Sequence, residues 1–234
     1  MATAGIVIIG NEILSGKFAD ENAPWLVQRL RGLGVDLGRI STIPDTLDDI
    51  AGEVRDFSAR FDWVFTSGGI GPTHDDLTYL GVATAFGRPL LRHPDIAEML
   101  TRKLGERCNE AALRMAEVPE GAELWWDGGF AYPLVVFRNV VIMPGVPGLL
   151  RHKFESVAHR FEGIPVSTDR ITTLASEPEI ADALTEAAGC WPTVAIGSYP
   201  RFEEKPPVVI VTMESRDTKS LAACGEFLRV RVPS

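Results

Sequence analysis

Cysteine is scarce in this sequence and never clustered. Cys108, Cys190 and Cys224 are odd in number, far apart and never spaced as C-x-x-C, so neither a disulfide framework nor a structural zinc site is expected. Histidine is equally thin. His74, His93, His152 and His159 are scattered and only the last two can share a helix face, which argues against a histidine metal site. Basic residues are in deficit: a net charge of −9 opposes non-specific nucleic-acid binding, which draws on Lys and Arg. An anionic small ligand stays open, because backbone N–H groups, a local cation or a metal can offset the global field. Long apolar runs are missing too. The first one ends at Gly10-Asn11-Glu12, too short for a signal peptide or membrane span, and no basic segment precedes it, so a cytoplasmic protein without a membrane partner is expected.

What is present is a core. Hydrophobic residues make up 45% of 234, enough for one large domain, or one domain with a small appendage. Gly5-Ile6-Val7-Ile8-Ile9-Gly10 has the continuous β-branched character of a strand buried on both faces. Asp20 or Asn22 can cap the helix that follows, with Leu26, Leu30 and Leu33 as its stripe and Gly32 and Gly34 as its stop. A short strand over 39–43 leads through Pro44-Asp45-Thr46 into a helix with Leu47, Ile50, Val54, Phe57 and Phe61 on one face. Trp63-Val64-Phe65 then reads as another buried strand. This alternation predicts a three-layer α/β/α fold, a doubly wound and mostly parallel sheet, with ligands expected beyond the carboxyl ends of its strands.

The strand at Trp63 runs into Thr66-Ser67-Gly68-Gly69-Ile70-Gly71-Pro72-Thr73-His74-Asp75-Asp76-Leu77-Thr78. Its glycines let backbone N–H groups approach a ligand without Cβ interference, Pro72 stiffens the exit, and Asp75 or Asp76 can cap a helix carrying Leu77, Leu80, Ala83 and Phe86. That combination suits a phosphate. Two helices are expected between Pro94 and Val118. Strands follow at Trp125-Trp126, Tyr132–Phe137 and Val140–Met143, joined by Gly128-Gly129 and Arg138-Asn139, with one of the two tryptophans turned toward a partner. Met143-Pro144-Gly145-Val146-Pro147-Gly148 is a further loop at the same edge, launching a helix with Leu150, Phe154, Val157 and Phe161. From about residue 166 the order changes to β-α-β-β-α, which predicts a small C-terminal α+β unit over 166–234 behind a first domain of 1–165.

Taken together, Gly10-Asn11-Glu12-Ile13-Leu14-Ser15-Gly16-Lys17 with Asp20 and Asn22, Pro44-Asp45, the Gly68–Thr78 loop and Pro144-Gly145-Val146-Pro147 resemble the MoaB/MogA-like molybdopterin-binding domain. The match is closer to the branch containing the amino-terminal domain of CinA, the competence-damage protein, and the equivalent domain fused to FAD synthase; Ile196-Gly197-Ser198-Tyr199-Pro200 and Leu149 lean toward the FAD-synthase version. The CinA deamidase domain and the FAD-synthase adenylyltransferase domain fall outside this sequence, so neither activity is carried over.

The resemblance implies an oligomeric small-molecule binder. Its branches suggest either metal-dependent cleavage of a nucleotide pyrophosphate such as ADP-ribose or FAD, with Mg, Mn or Co, or molybdopterin binding or adenylylation; a non-catalytic nucleotide-binding regulator is the third reading. Asp76 is the first candidate for metal binding or water activation, and Asp45, which can instead cap its helix, matches a second acidic site sharing that ion. Asp75 is the third catalytic candidate. Gly68, Gly69 and Gly71 would cradle phosphate with Pro72, supported by Gly10, Asn11, Pro144, Gly145 and Pro147. Glu12, placed at the end of a buried strand, would meet a metal, water or backbone N–H groups. Lys17 would meet phosphate or stay solvated, and Ser67, Thr73 and Thr78 would offer hydroxyls to ligand or backbone.

Overall fold

The computed structural model describes residues 2–126 and 132–233, so the expected Gly128-Gly129 turn lies outside the described residues. The chain divides into two compact units, Met1–Gly163 and Ile164–Ser234. The first runs β1 (Thr3–Ile9), α1 (Asn11–Leu14), α2 (Asn22–Gly32), β2 (Asp36–Ile43), α3 (Leu47–Arg60), β3 (Trp63–Ser67), α4 (Thr78–Ala85), β4 (Leu90–Arg92), α5 (Pro94–Leu104), α6 (Glu110–Arg114), β5 (Glu117–Pro119), β6 (Glu123–Trp125), β7 (Leu134–Phe137), β8 (Val140–Met143) and α7 (Pro147–Val157).

Its main sheet has the order β2-β1-β3-β8-β7-β6. β2, β1, β3 and β8 are mutually parallel, and β7 pairs antiparallel with both β8 and β6. Helices cover both faces. Alternate residues of β1 divide between them: Val7 and Ile9 pack with Ile50, Val54 and Phe57 of α3, whereas Ala4, Ile6 and Ile8 pack with Leu26 and Leu30 of α2 and Leu150 and Phe154 of α7. Double-sided burial is why β1 reads as an unbroken apolar run. It also brings the carboxyl ends of β1, β2, β3 and β8 to one edge.

Several local expectations change. Of the stripe expected for α4, Ala83 is buried but Leu80 is 38% exposed, and Tyr79 and Val82 are buried in its place. The cause is Gly81, which lies so close to α3 that a Cβ would stand 2.2 Å from Ile50 Cγ2, so the helix presents a different face. The second helix of the 94–118 stretch is only α6, capped by the Asn109 side chain on Ala112 N–H, and Ala116 and Val118 are buried beyond its end. β4 and β5 form a small antiparallel pair that three-residue strands without alternation did not reveal. Trp125 packs against Trp63 and Phe161 while Trp126 is 43% exposed, as adjacent strand positions require.

The second unit contains β9 (Ser167–Thr173), α8 (Glu177–Cys190), β10 (Ala195–Arg201), β11 (Val208–Ser215) and α9 (Thr218–Arg231). Its antiparallel sheet has the order β10-β11-β9. β11 alternates strictly, with Val209, Val211 and Met213 buried among Ile180 and Ala187 of α8 and Leu221, Cys224 and Leu228 of α9.

Candidate functional site

Four loops leave the parallel strands at their shared carboxyl edge, and close backbone approach holds them together. Gly68 adopts φ 110° and Gly69 φ 62°. A Cβ on Gly68 would lie 2.1 Å from the carbonyl oxygen of Ile9, and one on Gly145 would lie 3.2 Å from Gly68 Cα. The ends of β1, β3 and β8 therefore meet where only glycine fits. Gly68 N–H donates to Met143 O at 3.2 Å and Gly10 N–H to Ile43 O at 3.1 Å, extending the ladder to the edge. Beyond it, the N–H groups of Gly69, Ile70 and Gly71 have no hydrogen-bond partner among the described residues. Successive free N–H groups in a left-handed turn form an anion-binding concavity.

The acids around this turn are not helix caps. Thr46, not Asp45, caps α3, and α4 has Leu77 at its N-cap position with no side-chain cap. Asp45 instead accepts from Asn11 N–H at 2.7 Å, tying the loop after β2 to the loop after β1. Asp76 turns back to accept from Thr73 N–H at 2.8 Å and from the Thr73 hydroxyl, which also reaches Asp75 at 2.6 Å. The hydroxyl of Thr73, followed by the Asp75 N–H, holds the Asp75 carboxyl below the usual carboxylate range. Burial, reinforced by the charges of Glu12, Asp75 and Asp76 against the Asn11 N–H, raises Asp45 above it. These four acids thus share one neighbourhood.

Other expected site residues take more local roles. Thr78 is buried and its hydroxyl donates to Gly68 O at 2.8 Å, closing the turn from within. Ser67 is buried, with Oγ 3.5 Å from Pro144 O. Glu12 is exposed in α1 and not at the end of a buried strand; its carboxylate folds over Gly10, where a Cβ would meet it at 2.6 Å. Lys17 is exposed, with its ammonium 5.6 Å from the Phe18 ring centre. A cation that does bond the loop is Arg114, whose guanidinium donates to Pro72 O at 3.1 Å. Pro144 is buried, Gly145 exposed, and Pro147 opens α7. His74 is open to solvent, 3.9 Å from Asp75.

Sequence reasoning missed the part played by Asn22. Asp20 caps α2, accepting from Asn22 and Ala23 N–H at 2.8 and 3.1 Å, which frees the Asn22 side chain to point inward. Its Nδ2 donates to Ser67 Oγ at 2.9 Å and Gly145 O at 2.7 Å.

Oxygen donors such as Asp45, Asp75 and Asp76 suit a hard divalent cation in chemistry. In arrangement they do not form a ligand set. No group of three or more Asp, Glu, His or Cys among the described residues could hold an ion, and both Asp45 and Asp76 are engaged by backbone N–H groups, so no step is routed through a metal. No described helix is long and apolar enough to cross a membrane.

The sequence profile described as "Probable molybdopterin binding domain" matches residues 5–162, and that of "FAD synthase, middle domain" matches residues 165–234. A protein of Archaeoglobus fulgidus is 38% identical over 92% of each chain. A "Probable FAD synthase" of Caenorhabditis elegans is 32% identical over 97% of this chain, which spans only 49% of that relative. A CinA-like protein of Anaeromyxobacter sp. is 40% identical over 61% of this chain and 36% of its own length. Among solved structures, CinA of Thermoplasma acidophilum, described as of unknown function, superposes with a TM-score of 0.63 at 29% identity, covering 69% of this chain and 99% of that one.

Proposed function

Since the chain belongs to the molybdopterin-binding domain family, with a second unit of the FAD-synthase middle-domain type, we propose that the carboxyl edge of its first sheet binds a small phosphorylated ligand of the pterin or nucleotide class. The observation that carries this reading is the row of N–H groups at Gly69, Ile70 and Gly71 without a partner among the described residues, in the turn that Gly68 and Gly69 open with positive φ at the end of a central parallel strand. Thr78 braces this turn from below, and Asp76 with Thr73 braces its exit. The bound phosphate accepts from the backbone N–H groups, whose contribution must outweigh the charges of Glu12, Asp45, Asp75 and Asp76 nearby.

Calorimetric titration tests this with matched pairs: a phosphorylated pterin against its dephosphorylated form, AMP against adenosine, and FAD against riboflavin. Binding restricted to the phosphorylated member of a pair supports the reading. Equal binding of both members, or none across the panel, ends it.

A second reading, cleavage of a nucleotide pyrophosphate to release AMP, is favoured by the raised carboxyl of Asp45. A carboxylate that holds a proton more tightly than usual is a better general base toward water. Chromatography of FAD and ADP-ribose incubated with Mg²⁺, Mn²⁺ or Co²⁺, and with chelator, measures it. AMP released by the wild type but not by Asp45→Asn or Asp76→Asn, each still binding nucleotide within about tenfold, supports hydrolysis. No AMP under any condition leaves a binding domain.

A further inference from the structure

Asn22 is an expensive residue to bury. It is 6% exposed at the start of α2, and its Oδ1 is buried without a partner. The unpaired carbonyl offsets part of what the two hydrogen bonds of the same amide contribute, so the residue's clearest effect is where it places its acceptors. What the amide does is span two loops. One Nδ2 hydrogen goes to Ser67, the last residue of β3, and the other to Gly145 O in the loop after β8. Those segments already touch through Gly68 and Gly145. The clasp therefore fixes the separation between the turn bearing the free N–H groups and the exposed Gly145-Val146 turn beside it.

We propose that Asn22 is a positioning residue that holds these two turns at the spacing at which they grip the phosphorylated ligand between them. This rests on the binding reading above and adds to it: a side chain outside both loops sets the width of the site. The donors of Asn22 are consumed by Ser67 and Gly145, and both lie on the side of the loops facing α2.

Asn22→Leu keeps the branched outline and removes the orphaned carbonyl along with both donors, but it is the larger side chain and leaves Ser67 Oγ and Gly145 O without their donor. Asn22→Asp is the second variant; it keeps the shape but sets an acceptor against Gly145 O. With FAD and ADP-ribose as probes, both variants are expected to bind about tenfold to a hundredfold more weakly at temperatures well below their own unfolding transitions, where any loss of melting temperature leaves the protein folded. Amide hydrogen exchange on the ligand-free proteins should quicken in both variants at Gly68, Thr78 and Leu150, whose N–H groups donate to Met143 O, Gly69 O and Val146 O at the two turns. Wild-type affinity in the variants overturns the proposal, as does unchanged exchange. If the wild type binds neither these probes nor the phosphorylated pterin and AMP of the panel above, the binding reading fails, and faster exchange confined to the two turns still establishes the clasp.

Discussion

The two units start their helices differently. In the second unit both helices are closed by side chains: Glu179 accepts from the Ser176 N–H and hydroxyl in a capping box at α8, and Asp217 accepts from Lys219 and Ser220 N–H at 3.0 and 3.2 Å at α9. In the first unit, α1, α4 and α7 follow the carboxyl ends of β1, β3 and β8, and their N-cap residues, Gly10, Leu77 and Val146, give no side-chain cap; the first N–H of α1 goes to Asp45 and that of α4 to Gly69 O, and the start of α7 is Pro147. The first unit can cap helices elsewhere, as Thr46 at α3 and Asn109 at α6 show. Uncapped starts leave N–H groups unsatisfied at some cost in stability, and here they converge on one edge. On the binding reading proposed above, the difference means that the edge leaves donors for an outside acceptor, whereas the second unit is finished by its own residues.

The sharpest way to break that comparison is to close the open turn. Gly68→Ala places a Cβ on a residue at φ 110° and against Ile9 O. It should cost about 2–4 kcal/mol in urea denaturation and abolish binding of phosphorylated ligand. Wild-type stability would mean that the three strand ends are not packed as tightly as the geometry requires.

A smaller effect comes from Lys153 of α7, whose Nζ donates to Tyr132 O at 2.6 Å and Pro133 O at 3.2 Å. Burial, helped by Lys103, lowers it from 10.5 to about 8. Below that value the lysine is protonated in both states and its burial penalty is complete. Between about 8 and 10.5 the unfolded chain binds the extra proton, so stability rises with pH. The neutral amine keeps enough N–H groups for both carbonyls. Measured against Lys153→Met by denaturation at pH 7.5 and pH 10, the wild type should gain about 1–2 kcal/mol, less than the shift alone implies because the two carbonyls also favour the ammonium. A flat difference would remove the burial argument. In the second unit, Asp217→Ala should cost about 1 kcal/mol of that unit's stability and leave ligand affinity unchanged; an affinity loss would show that its caps are not merely structural.

The doubly wound sheet, its loop edge and the β-α-β-β-α order of the second unit were legible because continuous apolar strands and 3.6-residue stripes are local signals. The glycines of the Gly68 turn were legible as well, since positive φ demands them. The carboxylates were not. Asp76 and Asp45 each had a cap position within reach, and which of two short-range partners wins depends on loop paths the sequence does not show. Asn22 was harder still. As a possible cap it had an obvious local role, whereas its real acceptor, Gly145 O, lies 123 residues away.

The finest test adds a cap where the first unit lacks one. Val146 precedes α7 with the extended backbone of an N-cap, φ −68° and ψ 117°, and is 64% exposed, so serine fits there without strain or loss of core packing. Val146→Ser lets a hydroxyl accept from the N–H groups of the first turn of α7, which should stabilise the protein by about 0.5 kcal/mol. If those groups are held open for a ligand, the same substitution should weaken binding of the phosphorylated probe several-fold, because an internal acceptor now competes for its donors. Stability and affinity would then move in opposite directions from a single exposed side chain. A stabilised variant with unchanged affinity would confine the ligand to the Gly68 turn and make the bare start of α7 a feature of the fold alone.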